Sequence, residues 1–227
     1  MQCPPVALKS NLSRTAPASD VVQDSMQATL SEVFSDNAVD GAITGFTLAH
    51  LAQSDKPLLW IQDRLSRREA GRPYLPGLPV KCDVIHVDVS KPVDVLWAME
   101  EGLRCSALCA IIGEVWGDPP ALDFTATKRL AMRAEAQNVP AWLMRRGATA
   151  NLSAARMRWR VASLPSQAKP YDSRAPGAPL WQAELFRARW RAPGQWVASH
   201  DTTGLHLAHG LDHATPHHAQ YPQQATG

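Results

Sequence analysis

A helix followed directly by an apolar strand lies in the middle of this 227-residue chain. Over residues 94–104 the apolar side chains recur at three- and four-residue steps, which is the pattern of an amphipathic helix. Residues 107–115 are almost continuously apolar, as in a strand buried on both faces of a parallel sheet. A second helix is predicted over residues 121–138 and a further strand over residues 139–144. Right-handed crossovers make this succession an α/β sheet.

The segment over residues 31–51 has the layout of a P-loop, with a strand, a polar loop and a helix. Its loop lacks the Gly-Lys-Ser/Thr tripeptide, so no lysine neutralises the β and γ phosphates and no hydroxyl holds Mg²⁺. We therefore expect no nucleotide at Asp36, Asp40, Gly41 and Gly45, and we interpret the two glycines as turn and packing residues. ATP hydrolysis of the usual kind, and any bound cofactor, are not expected.

The basic residues concentrate in one half of the chain. Residues 128–191 hold thirteen Lys and Arg against three acidic residues, an excess of ten within a net charge of +2. Arginines alternate with apolar residues over 156–164, which predicts a strand with one solvent-exposed basic face. Such a face indicates a polyanion or an acidic partner, and a merely solvated surface is the alternative. The candidate DNA contacts are Arg145, Arg146, Arg156, Arg158 and Arg160.

The rest of the chain predicts one domain over residues 20–208. Further strands are expected over 58–62, 83–87, 180–191, 194–199 and 204–208, and a short helix over 20–30. Residues 63–77 are interpreted as a charged connection, and Tyr74, Leu75 and Leu78 are expected to fold back on the core.

The two ends of the chain predict disordered tails, over residues 1–19 and 209–227. His209, His213 and His217 have a helical metal-binding spacing, but Gly210 and Pro216 disfavour that helix, so no metal site is expected. The sequence has no apolar run that could span a bilayer and no secretory leader, which favours a soluble cytoplasmic protein without membrane contact.

This plan of a P-loop-like segment, an α/β core and basic antiparallel strands is that of the RecA-type recombinase core. Within that group, four segments closely resemble the ImuA family over residues 31–208. They are LWAMEEGLRC at 96–105, IGEVWG at 112–117, LDFTATKRLAMRAEAQNVPAWLMR at 122–145, and RWRV at 158–161. The resemblance implies a mainly parallel, twisted RecA-like sheet flanked by helices, with antiparallel strands on its C-terminal side.

The same resemblance implies a non-catalytic accessory protein of SOS-induced mutagenic translesion synthesis. The implied partners are ImuB, a Y-family polymerase relative without catalytic residues, and an error-prone homologue of the polymerase III α-subunit. RecA and DNA are further candidate partners.

Two further positions bear on catalysis and contact. RecA-type ATPases carry a metal-binding aspartate where this chain has Gly113 and Glu114, and a water-activating glutamate where it has Asp63 and Arg64. We therefore interpret Glu114 and Trp116 as candidate partner contacts. The alternatives are a divergent DNA-stimulated ATPase and, from the SulA-like label that the family also carries, a cell-division inhibitor.

Overall fold

The computed structural model describes residues 20–21, 28–77, 81–169, 171–172, 174–201 and 204–209. Within them, one mixed sheet of ten strands is flanked by four α-helices. The strands are β1 (Asp20–Val21), β2 (Leu30–Ser35), β3 (Leu58–Asp63), β4 (Val84–Val89), β5 (Ala110–Trp116), β6 (Ala141–Arg146), β7 (Met157–Leu164), β8 (Leu180–Ala188), β9 (Gly194–Asp201) and β10 (Gly204–His209). The helices are α1 (Ala42–Ala49), α2 (Arg64–Ala70), α3 (Pro92–Gly102) and α4 (Phe124–Gln137).

The sheet has a parallel half and an antiparallel half, in the order β1-β10-β9-β8-β7-β2-β6-β5-β3-β4. Strands β4, β3, β5, β6, β2 and β7 run parallel to one another. From β7 onward, β8, β9, β10 and β1 add as antiparallel neighbours. The α/β class and the antiparallel C-terminal strands are therefore confirmed. All the carboxyl ends of the parallel strands meet at one edge, where α/β sheets bind ligands.

The central helix and strand form as their sequence pattern predicts. Val95, Leu96 and Met99 of α3 are buried against the sheet. In β5, Ile111 packs on one side of the sheet and Ile112 on the other, so both faces of this strand are covered. An apolar run of this kind removes enough surface from water to contribute about 2 kcal/mol per large side chain.

Each face of the sheet has its own core. On the α1 face the core contains five buried indole rings, and the ring of Phe46 of α1 lies 5.1 Å from that of Trp159 and 6.3 Å from that of Trp181. The five rings are those of Trp60, Trp142, Trp159, Trp181 and Trp196. On the α3/α4 face the core has no aromatic residue among its described buried members and is built from Leu, Ile, Val, Ala and Met99. Strand residues alternate between the two cores, so the side-chain direction of every residue at the carboxyl edge is fixed by its neighbours.

Two carboxylates and an asparagine set the helix boundaries. Asp63 Oδ1 accepts a hydrogen bond from Ser66 N at 2.6 Å at the start of α2, and Asp123 Oδ1 accepts one from Ala126 N at 2.7 Å at the start of α4. Asn138 ends α4 in the left-handed conformation, with φ of 53°. Short polar side chains are favoured at these positions because they satisfy backbone groups that the helix leaves unpaired.

Two expectations on local structure are wrong. The connection at 63–77 contains helix α2, because Asp63 caps it. Tyr74 and Leu75 are exposed and do not fold back on the core, and Leu78 lies outside the described residues. Of the short helix expected over 20–30, residues 22–27 also lie outside the described residues, while residues 20–21 form β1 and Leu30 begins β2.

Residues 22–27, the tail at 1–19 and residues 210–227, with His213 and His217, lie outside the described residues. His209 lies in β10. No helix within the described ranges is long and apolar enough to cross a membrane.

Candidate functional site

The turn between β2 and α1 stands where a P-loop would hold phosphate. Asp40 links it to the neighbouring strand: its Oδ1 accepts hydrogen bonds from Ala42 N at 2.8 Å and from Ser163 Oγ at 2.5 Å, and its Oδ2 accepts one from Ser163 N at 2.9 Å. Partial burial opposes ionisation of this carboxyl, but these hydrogen bonds and the charge of Arg146 lower its pKa below the ordinary value. Asp40 is therefore a structural clamp between the turn and β7.

Three backbone N–H groups of this turn form hydrogen bonds within the turn itself. Val39 N donates to Asn37 Oδ1 at 3.2 Å, Asp40 N donates to Asn37 O at 3.0 Å, and Ala42 N donates to Asp40. A phosphate cradle needs several such groups directed at the anion. Here they are directed at protein oxygens.

A guanidinium group from β6 lies inside the turn. Arg146 Nη1 donates to the carbonyl oxygens of Ala38 at 3.1 Å and Asp40 at 3.3 Å, and its Nη2 donates to Thr44 Oγ1 at 2.9 Å. Arg146 is buried. The turn thus presents carbonyl oxygens to a cation, which is the opposite polarity from an anion cradle.

Glu114 is the carboxylate that neutralises this arginine. Its Oε1 accepts a short hydrogen bond from Arg146 Nε, and its Oε2 accepts from Gln62 Nε2 at 2.9 Å and Trp60 Nε1 at 3.3 Å. Glu114 is 1% exposed. Its position at the carboxyl end of β5 is as predicted, but burial places this carboxylate inside the protein and not at its surface.

Trp116 lies two residues further along the same strand and is half-buried. Its backbone N–H donates to Asp63 Oδ2 at 3.5 Å. Its ring lies beside Gly147, whose added Cβ would be 3.5 Å from the indole. Of the two predicted contact residues, Trp116 is the one that the fold leaves partly accessible.

The α3/α4 face carries a second buried ion cluster, centred on Glu32 in the middle of β2. Glu32 is fully buried; its Oε2 accepts from Arg158 Nε at 2.7 Å, and its Oε1 accepts from Ser153 Oγ at 2.9 Å and lies 3.7 Å from Arg145 Nη1. Arg145 also donates to Asp118 Oδ1 at 2.6 Å. Burial lowers the pKa of Arg145, while Glu32 and Asp118 oppose that shift.

Two phenylalanine rings complete this second cluster. The Phe34 and Phe186 centroids lie 5.9 Å apart. The guanidinium of Arg158 lies 5.3 Å from the first ring centroid and 5.1 Å from the second. Because cation–π contacts replace part of the lost hydration, they help the protein to hold these charges away from water.

The expectation of a solvent-exposed basic face over 156–164 is wrong for Arg158, and two more of the candidate DNA contacts, Arg145 and Arg146, are buried as well. Arg145, Arg146 and Arg158 are buried and paired with Glu32, Glu114 or Asp118. The reason is that β7 and β6 are interior strands of the sheet, so an alternating face meets another layer and not solvent.

Arg156 and Arg160 are partly exposed, and each has an acidic neighbour. Arg156 Nε donates to Glu135 Oε1 at 2.6 Å, which lowers the pKa of Glu135. Arg160 Nη1 donates to Glu184 at 2.7 Å, and its Nε lies 3.6 Å from Asp36. Two of the three acidic residues within 128–191 thus pair with these arginines, and Asp36 is the one neighbour from the first half of the chain that these contacts include.

The predicted loop glycines differ in role. An added Cβ at Gly45 would lie 2.7 Å from Trp181 Cζ2, so this glycine is needed for packing of α1 on β8. Gly41 has no atom near its added Cβ and a φ of −68°, so it is an ordinary turn residue.

Several residues of these clusters escaped the sequence reasoning. Gln62 connects Glu114 to His86, whose Nε2 lies 2.9 Å from Gln62 Oε1. The sequence pattern that could have indicated Gln62 is a polar residue at the end of an apolar strand. No sequence pattern indicates Asp118 or Ser153, because they lie in irregular segments whose path depends on the tertiary fold.

The fold and these clusters define the class as an α/β protein with a mixed sheet. The turn between β2 and α1 is occupied by the guanidinium group of Arg146. No protein-family model matches the chain, and no curated protein matches it. Within the part of the chain that the structure describes, no group of three or more His, Cys, Asp or Glu side chains could hold a metal ion.

Proposed function

We propose that this protein is a non-catalytic accessory factor of SOS-induced mutagenic translesion synthesis. In this role it recruits or bridges ImuB and an error-prone polymerase III α-subunit homologue, with DNA or RecA as an additional contact. Two lines of support lead to this proposal. Four sequence segments resemble the ImuA family, and the sheet can be interpreted as RecA-like. The order of elements supports that interpretation. A strand, a turn and a helix come first, parallel strands follow, and antiparallel strands come last.

The observation that carries the non-catalytic part is the position of Arg146. In an active P-loop, backbone N–H groups and a lysine surround the β and γ phosphates. Here the guanidinium of Arg146 is held by Ala38 O, Asp40 O and Thr44 Oγ1, and Glu114 compensates its charge. A nucleotide would have to displace this buried pair, and removing one partner of such a pair costs about 3–5 kcal/mol.

An exposed apolar surface on the outer side of the helices supports a protein-binding role. Trp97 of α3 is 66% exposed, and Val93, one helical turn earlier, and Met132 of α4 are exposed as well. Exposed aromatic residues of this kind are enriched at protein interfaces, where a few of them supply most of the affinity. We assign ImuB-type contact to this surface, with half-buried Trp116 as a second candidate.

The bridging role is tested by co-purification of the full chain with an ImuB-type protein and the α-subunit homologue. We expect the native chain to retain both, and Trp97→Ala to reduce retention of one by tenfold or more. Tyr171→Ala is the control, since Tyr171 is an exposed aromatic residue in the connection between β7 and β8. Failure of the native chain to retain either protein would refute the bridging role.

The ATPase alternative is tested on the same preparation with Mg²⁺-ATP and single-stranded DNA. We expect no phosphate release above that of a heat-denatured sample. Turnover that requires DNA and disappears in Glu114→Gln would establish an enzyme and overturn the non-catalytic assignment.

A further inference from the structure

A pocket of about 240 Å³ lies where the first turn of α4 meets the start of β7 and the end of β8. Its walls include three arginines, Arg156, Arg187 and Arg189, and the ring of Phe124. Phe124 is 42% exposed although it is a large apolar side chain. This pocket is distinct from both buried ion clusters.

A β-bulge directs one of these arginines into the pocket. In the β7–β8 ladder Arg158 pairs with Arg187 and Trp159 pairs with Leu185, so Phe186 is an extra residue. Without the extra residue the side-chain alternation would place Arg187 on the face of Leu185, inside the tryptophan core. With it, Arg187 Nη1 reaches the carbonyl oxygen of Ser153 at 3.4 Å on the α3/α4 face.

The charges of the pocket are only partly compensated. Arg156 donates two hydrogen bonds to the carboxylate of Glu135, at 2.6 and 3.3 Å, so its charge is neutralised. Arg187 and Arg189 make no ion pair with any carboxylate of the described residues. Arg189 lies instead over the ring of Trp190, at 5.7 Å, and that ring is 45% exposed.

We propose that this pocket binds a phosphate group of single-stranded nucleic acid, with the adjoining base stacked on Phe124 or Trp190. Two guanidinium groups without an ion pair among the described residues suit a phosphodiester, since arginine forks match its oxygens. Exposed aromatic rings beside them suit an unpaired base, and an acidic peptide would make no use of those rings. The inference rests on the DNA contact of the proposed function and moves that contact from the five arginines named in the sequence to Arg187 and Arg189.

The test is fluorescence anisotropy of a labelled oligothymidylate titrated with the full chain at several salt concentrations. We expect Arg187→Ala/Arg189→Ala to weaken binding at least tenfold and to reduce the slope of log K against log salt by about 0.7, the value for one phosphate contact on a single strand. Arg64→Ala/Arg68→Ala is the control with the same charge change, on the exposed side of α2 at the far end of the sheet. Equal losses in both double variants would refute a local site.

Two further arms identify the ligand. Phe124→Leu should weaken oligothymidylate binding about fivefold or more and leave binding of inorganic tripolyphosphate unchanged. Polyglutamate of equal charge should compete poorly; if it competes as well as oligothymidylate, the pocket binds acidic protein and the proposal is overturned. Co-purification of Arg187→Ala/Arg189→Ala with the ImuB-type protein is measured without DNA. This measurement distinguishes a failure of nucleic-acid binding at the pocket from a failure of the bridging role.

Discussion

Arg146 Nη2 lies 2.9 Å from Thr44 Oγ1, so the last residue of β6 is bonded to the first turn of α1. This contact joins two strand-helix units across the position at which a P-loop protein would hold its nucleotide. The same arginine bonds two carbonyl oxygens of the turn and the carboxylate of Glu114. The segment is therefore cross-linked by the buried guanidinium group of Arg146.

The first prediction concerns Arg146 itself. Arg146→Met should lower the free energy of unfolding by about 3–5 kcal/mol, because Glu114 is left as a buried and unpaired charge. The measurement is urea unfolding followed by far-UV circular dichroism. Arg146→Met/Glu114→Gln should recover part of the loss, since the second change removes the orphaned charge. A double variant no more stable than the single one would show that Arg146 acts mainly through the turn.

The second ion cluster predicts a contrast between two glutamates. Glu32→Gln should cost about 3 kcal/mol or more, because Glu32 is fully buried and faces both Arg158 and Arg145. Glu184→Gln should cost less than about 1 kcal/mol, because its pair with Arg160 is partly exposed. Both are measured as shifts of the urea midpoint at constant m. Equal costs would contradict the assignment of Glu32 as the centre of the cluster.

The sequence predicted most of the regular elements and fewer of these contacts. Apolar periodicity is a local property, so the central helix, β5 and β3 could be read from consecutive residues. The burial of Arg158 could not, because a period-two basic pattern is the same whether the next layer is water or the Glu32 cluster. Asp63 gave a capping signal for α2, but the charged and Pro-containing segment after it hid the helix.

A further prediction concerns His50, whose ring lies 4.3 Å from that of Phe46 and 5.0 Å from that of Trp142. Burial lowers the pKa of His50 to about 4, although its hydrogen bond to Phe46 O acts in the opposite direction. Between the unfolded pKa near 6.5 and this folded value, the unfolded chain binds more protons. Stability should therefore be complete above pH 6.5 and fall as the pH drops toward 4.

The lowered pKa of His50 has a measurable effect on stability. Lowering this pKa from 6.5 to about 4 should reduce the free energy of unfolding by about 2–3 kcal/mol between pH 7 and pH 4. The depressed carboxyl pKa of Asp40, Asp118 and Glu135 adds a loss that begins lower, near pH 4. His50→Gln isolates the histidine: urea unfolding of this variant should depend less on pH between 6.5 and 4 than that of the native protein. If the native protein and His50→Gln show parallel pH profiles, then folding does not lower the pKa of His50.

The last prediction uses the two glycines of the strand-turn-helix segment as a matched pair. Gly45→Ala should destabilise the protein by about 1–3 kcal/mol, because the new methyl group would lie 2.7 Å from the rigid indole of Trp181. This loss should exceed the gain of about 1 kcal/mol that alanine brings to a helix interior. Gly41→Ser should change stability by no more than about 0.5 kcal/mol, since no atom lies near its added Cβ. Thermal unfolding by calorimetry measures both. If Gly45 serves packing, Trp181→Leu should relieve the clash and make Gly45→Ala close to neutral in that background, whereas a glycine kept for backbone freedom would stay sensitive with either partner.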